Sequence, residues 1–143
     1  MYGNTSPFAS RGLSASNTYS RVGVETDVLT ASPHKLVSLL FDGAMDAMTQ
    51  AVGAIHQRNQ ELKGRCLSRA VRILDEGLKA ALNMEAGNLA EDLRDLYSYL
   101  CMRLTHANLH SDIAAIEECQ RLLQPIRDAW LNIAAHTDVA RAA

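Results

Sequence analysis

The chain has 143 residues, of which 48% are hydrophobic, so its length and composition suit one globular domain with a real core. Fourteen basic and 16 acidic residues leave a net charge of −2, which argues against a nucleic-acid-binding or membrane-surface protein. Aromatic residues make up only 5% of the chain, which argues against a base-stacking surface.

The first 30 residues are predicted to form a mobile N-terminal arm. Residues 1 to about 20 are rich in Ser, Thr, Asn and Gly, and such a segment buries too little apolar surface to offset its ordering entropy. Phe8, Leu13 and Tyr19 interrupt this polar composition and could dock the arm on the body of the protein. The segment is therefore either an ordinary flexible terminus or a cover that occupies a groove until a partner arrives.

The first two helices have clear sequence signals. Ser32 is a favourable N-cap, and Pro33 suits the first helical position because its missing N–H has no helical partner there. A loop is predicted near His56, and a second helix from about Glu61 to Asn83. Apolar residues recur at helical spacing in both, namely Val37, Phe41, Ala44, Met48, Val52 and Ile55, then Leu67, Val71, Leu74, Leu78 and Leu82.

Two further helices follow a turn at residues 85–88. Ser111 is expected to cap the fourth helix, Asp112 complements the positive end of its dipole, and Pro125 predicts a bend. Residues 137–143 are small and are expected to fray. The apolar stripes are Leu89, Leu93, Leu96, Leu100 and Leu104 in the third helix and Ile113, Ile116, Leu123, Ile126, Trp130 and Ile133 in the fourth.

Four amphipathic helices joined by short loops predict an all-α fold, an antiparallel up-down four-helix bundle over residues 31–136. No apolar run approaches the ~20 residues that span a bilayer, and the N-terminus lacks the features of a secretion signal. Cys66, Cys101 and Cys119 are odd in number and lie far apart, which favours free thiols in a reducing compartment. We therefore expect a cytoplasmic (cytosolic) protein.

The sequence contains no recognisable catalytic motif. A Gly-rich phosphate loop, GxSxG, HExxH and an EF-hand loop are all missing, so no enzyme activity and no cofactor are expected. His106 and His110 stand four residues apart and could offer two imidazoles to a metal, but a di-metal bundle needs inward Glu residues as well. The basic stripe of Arg65, Arg69 and Arg72 favours a solvated face.

Helices 2 and 3 carry more apolar surface than one core stripe needs. Ile73 and Gly77 lie off the main stripe of the second helix, and Tyr97 and Tyr99 point to nearly opposite sides of the third. This surplus is typical of a groove that accepts a helix, but a wider core or a homodimer face would produce it too.

The chain resembles the FliS family of flagellar secretion chaperones from about Tyr19 to Ile133. The resemblance lies in the order and spacing of several short stretches. These are Tyr19, Val22-Gly23-Val24-Glu25-Thr26, Ala31-Ser32-Pro33-His34-Lys35-Leu36, Leu40-Phe41-Asp42-Gly43-Ala44, Gly77-Leu78-Lys79, Asn88-Leu89-Ala90 with Leu93, Leu96-Tyr97-Ser98-Tyr99, Leu104 with Ala107-Asn108, and Asp128-Ala129-Trp130.

The resemblance implies a type III export chaperone that binds the disordered C-terminal region of flagellin in the cytoplasm. Binding prevents premature polymerisation and assists delivery to the export apparatus, and some members also bind the flagellar anti-sigma factor. The N-terminal segment of the family covers part of the cargo groove, with the tyrosine matching Tyr19 important for binding. The expected cargo-binding residues are Tyr19 as the gate and Ile73, Gly77, Leu89, Leu93, Leu96, Tyr97 and Tyr99 as the apolar lining.

Three alternatives remain open at this stage. The chain could be a structural bundle that self-associates through its surplus apolar face. It could be a metal-dependent enzyme that uses His106 and His110. It could also be a chaperone for a different export substrate.

Overall fold

The computed structural model describes the backbone of residues 32–142 and the side chains of residues 32–133. The predicted arm and Tyr19 lie outside the described residues. All regular secondary structure in the described chain is helical, and none of the described residues is in a β-strand. The helices are α1 (Pro33–His56), α2 (Gln60–Arg72) with a π-helical continuation (Ile73–Lys79), α3 (Asn88–His110) and α4 (Ile113–Ala142), with a 3₁₀ turn (Met84–Ala86) before α3.

The helix caps confirm one prediction and correct another. The Ser32 hydroxyl accepts a hydrogen bond from the Lys35 amide at 3.2 Å, so α1 begins as predicted. Ser111 does not cap α4. It ends α3 in the left-handed conformation, with φ of 51°, and the carboxylate of the next residue, Asp112, accepts from the Ala115 amide at 3.2 Å. The Ser111 hydroxyl instead accepts a hydrogen bond from the buried Lys63 ammonium at 2.8 Å.

Each helix runs antiparallel to the one before it, and α4 returns beside α1. The pairs α1/α3 and α2/α4 lie on the diagonals, where their described backbones do not approach closely. Side-chain contacts set the register of the four interfaces: Cys66 with Gln50, Cys101 with the Val71 carbonyl, Cys119 with the Leu100 carbonyl, and Arg127 with Asp42. The predicted all-α four-helix bundle is confirmed.

The core combines large side chains from all four helices with a row of small residues on α1. Ala44, Ala47, Ala51 and Ala54 are buried, which lets α2 pack close to the α1 backbone. The largest fully buried side chains are Tyr97, Phe41, Leu40, Met48, Leu67, Ile73, Leu74, Leu78, Leu100, Leu104 and Ile116. Burial of such side chains, rather than helix propensity, supplies most of the stability of a bundle of this kind.

The π-helical segment continues α2 against α1. Gly77 lies here, and a Cβ added to it would come within 3.0 Å of the Leu40 side chain. Gly77 therefore allows a close approach of backbone to core, because the fully buried Leu40 occupies the space that a side chain would need.

The start of α1 is joined to α4 by a reciprocal contact. The rings of His34 and Trp130 stack at 4.2 Å and 5°. The Trp130 indole donates to the His34 carbonyl at 3.1 Å, and His34 Nε2 donates to the Trp130 carbonyl at 2.9 Å. Ser32, where the described chain begins, therefore lies beside the C-terminal half of α4. Within the described range, every helix is too short or too polar to be a membrane-spanning candidate.

Candidate binding surface

The predicted lining residues divide between the core and the surface. Ile73 and Tyr97 are fully buried, Gly77 is buried, and Leu93 is 7% exposed, so these four pack within the bundle. The other three reach the surface. Leu89 is 57% exposed, Tyr99 is 37% exposed, and Leu96 is half-buried. A role of any of them in binding stays a prediction.

One flank of α3 faces α4. Tyr99 and Arg103 both contact Glu118 of α4, which identifies that flank. Leu96 and Leu89 lie seven and fourteen residues before Arg103, and residues seven apart on a helix lie on nearly the same line. Exposed Leu89 and half-buried Leu96 therefore continue the α4-facing flank towards the start of α3.

The opposite wall comes from α4. Leu122, Ile126, Ala129 and Ile133 follow Glu118 at steps of four, four, three and four residues, so they share the flank that faces α3. Leu122 is 38% exposed, Ile133 is 55% exposed, and Ile126 is half-buried. The sequence analysis missed Leu122 as a surface residue. The available signal was its position about a third of a turn from the buried stripe of Ile116, Leu123 and Trp130.

These two flanks define the α3/α4 groove, a name used here for Leu89, Leu96, Leu122, Ile126 and Ile133. The contact of Leu100 with Cys119 places Leu96 at about the level of Leu122 and Leu89 near Trp130. The eleven residue steps from Leu122 to Ile133 span about 16 Å at 1.5 Å per residue. The groove therefore has the length of about three helical turns, and the five side chains that define it are apolar.

A polar cluster closes one end of the groove. The Tyr99 hydroxyl donates to Glu118 at 2.5 Å, and Arg103 Nε donates to the other carboxylate oxygen at 2.8 Å. The bond from Tyr99, followed by that from Arg103, holds the pKa of Glu118 below its usual value, and the same bond raises the pKa of Tyr99. Both carboxylate oxygens are thus occupied, and Glu118 links α3 to α4 at this level.

The described residues offer no assembled metal or nucleophile site. His106 and His110 lie with ring centroids 4.6 Å apart, and His106 Nε2 lies 3.3 Å from Asp112. No group of three or more His, Cys, Asp or Glu side chains that could hold a metal forms within the described range. Burial raises the pKa of the Cys101 thiol to about 11 and that of Cys119 to about 12, so both stay protonated at neutral pH.

The chain is similar to known proteins over most of its length. The family model described as "Flagellar protein FliS" matches residues 15–137. The flagellar secretion chaperone FliS of Salmonella typhimurium is 46% identical over 116 residues, which cover 80% of this chain and 86% of that protein. The protein of the same name from Escherichia coli is 40% identical over 86% of this chain and 89% of its own length. FliSB of Pseudomonas aeruginosa is 34% identical over 85% and 96%.

Proposed function

The chain belongs to the FliS family of flagellar secretion chaperones and is not an enzyme, and we propose that it binds the disordered C-terminal region of flagellin through the α3/α4 groove. The observation that carries this proposal is the row of exposed and half-buried apolar side chains on the facing flanks of α3 and α4. A segment that folds on binding pays an ordering cost, which only a long apolar contact offsets. A groove of about three helical turns provides such a contact for one amphipathic helix.

The N-terminal arm is proposed to cover this groove in the absence of cargo. Support comes from where the arm joins the bundle, because the contact of His34 with Trp130 places Ser32 beside the half of α4 that carries Ile126 and Ile133. Ser32 thus lies near the end of the groove opposite the Glu118 cluster, so a preceding arm would start there. An arm that occupies the groove would shield its apolar side chains from water and from unwanted partners.

The proposed cover makes a prediction about Tyr19. A Tyr19→Ala variant is expected to keep the helix content and thermal stability of the wild type but to bind the flagellin segment with a changed affinity, because the gate over the groove is altered. Isothermal calorimetry with circular dichroism measures both. An unchanged affinity would remove Tyr19 from the gate.

The proposed place of action is the cytoplasm, before export. Bound cargo could not polymerise there, since the segment needed for assembly would be held on the bundle. Delivery to the export gate and binding of the flagellar anti-sigma factor are proposed as further interactions of the same kind of surface.

A titration with the C-terminal segment of flagellin from the same bacterium tests the proposed function. We expect saturable binding at a stoichiometry of one, accompanied by a gain of helicity in the segment, because the segment orders only on the groove. Calorimetry and circular dichroism report the two effects, and light scattering reports the mass of the complex. A stable homodimer indifferent to the segment would contradict the proposal and favour a self-associating structural bundle.

A further inference from the structure

The α3/α4 groove contains one carboxylate among its apolar residues. Asp92 lies three residues after Leu89, four before Leu96 and seven before Tyr99, and Tyr99 contacts Glu118 of α4. Helical spacing therefore places Asp92 on the α4-facing flank, between exposed Leu89 and half-buried Leu96.

Among the described side chains of α4, those on the flank opposite Asp92 carry no positive charge. The residues of α4 that share the groove flank beyond Glu118 are Leu122, Pro125, Ile126, Ala129 and Ile133. Arg127 lies at about the same height along the bundle as Asp92. It is on the far flank of α4, however, where its guanidinium lies 2.7 Å from Asp42 of α1. Within the described part of the chain, Asp92 forms no ion pair or hydrogen bond, whereas its neighbour Asp95 contacts Arg94.

We propose that Asp92 determines the specificity of the groove by pairing with a Lys or Arg on the edge of the apolar face of a bound helix. The inference rests on the proposed function, and it adds a charge requirement to the cargo. A helix with an apolar face alone would leave the carboxylate partly desolvated and without a partner, which disfavours it. A helix with a basic residue beside its apolar face would satisfy Asp92 while its apolar residues cover Leu89 and Leu96.

The test compares two neutralised carboxylates on the same turn of α3. Asp92→Asn removes the groove charge, and Glu91→Gln is the matched control, because Glu91 is exposed, lies one residue away and points about 100° off the groove. Both substitutions remove one negative charge near the start of α3, so their effects on helix stability are similar. The probe is the flagellin C-terminal segment, with each Lys and Arg replaced in turn by Gln.

We expect Asp92→Asn to weaken binding of the segment about threefold to fivefold at low salt, the range of a single exposed ion pair. The loss should shrink at high salt because the pair is screened. One basic position of the segment should show the same loss, and the two substitutions together should cost little more than either alone. Glu91→Gln should bind like the wild type.

Two results would overturn the inference, and they are distinguishable from each other. If Asp92→Asn and Glu91→Gln bind alike at every salt concentration, Asp92 does not select the cargo, although the groove remains the binding site. If the wild-type protein does not bind the segment at all, the proposed function fails together with the inference.

Discussion

Replacing Leu122 by aspartate is expected to weaken binding of the flagellin segment by at least about 30-fold, the effect of losing an interface hot spot. Leu122 begins the apolar wall of α4, at about the level of Leu96, and is 38% exposed, so the protein tolerates a polar group there without a buried cavity. A bound helix would instead bury the new carboxylate against apolar side chains, which is costly. Calorimetric titration of the variant measures the loss.

Leu131→Asp provides a closely matched control. Leu131 is also 38% exposed and lies on the same helix, but nine residues, or two and a half turns, separate it from Leu122. It therefore lies on the flank away from α3. We expect the control to keep the wild-type affinity and a thermal stability similar to that of Leu122→Asp. Equal losses in both variants would show that the α3/α4 groove is not the cargo site.

Truncation of Tyr97 to alanine is expected to lower the free energy of unfolding by about 3 to 5 kcal/mol, as for other large buried aromatic residues. The ring is fully buried, and the loss arises from removed apolar contacts and from the cavity that remains. Tyr97→Phe should behave differently. The hydroxyl has no hydrogen-bond partner among the described residues, so its removal should leave stability unchanged or raise it by about 1 kcal/mol. Urea denaturation at neutral pH compares the three proteins.

The wild type and the Tyr97→Phe variant should differ in stability at alkaline pH. Burial raises the pKa of Tyr97 above its ordinary value of 10. Above pH 10 the unfolded chain therefore releases this proton more readily than the folded one, and stability falls as the pH rises. The Phe variant lacks this contribution and should lose stability less steeply over that range. A Phe variant destabilised by 1 kcal/mol or more at neutral pH would contradict the expectation and indicate a hydroxyl partner among residues 1–31.

The two halves of α3 differ in how they contact α4. Towards its start, Leu89 is open to solvent and Leu96 is half-buried, and both present apolar surface to a partner. Towards its end, Tyr99 and Arg103 hold Glu118 of α4. One half of the α3/α4 interface is thus held together internally, whereas the other half has apolar surface that remains unpaired within the described structure. Cargo would complete that half.

The periodicity of apolar residues was sufficient to predict the four helices, because each stripe repeats at 3.6 residues over several turns. The cap at Ser32 was equally readable, since a hydroxyl before Pro33 has few other roles. The cap of α4 was not, because Ser111 and Asp112 are both good caps. Only the left-handed backbone at Ser111, imposed by the tight turn after α3, gives the role to Asp112.

The sequence by itself determined that this is a helical bundle and which family it resembles, and it predicted more apolar surface on helices 2 and 3 than one core stripe needs. Only the tertiary structure decided where that surface lies. Leu89 and Leu93 share one stripe and differ by four residues, yet Leu89 is 57% exposed and Leu93 is 7% exposed. Likewise Tyr97 is fully buried, whereas Tyr99 is at the surface beside Glu118. Local spacing assigns a side chain to a face of its helix, but its burial depends on how far the neighbouring helices extend along that face.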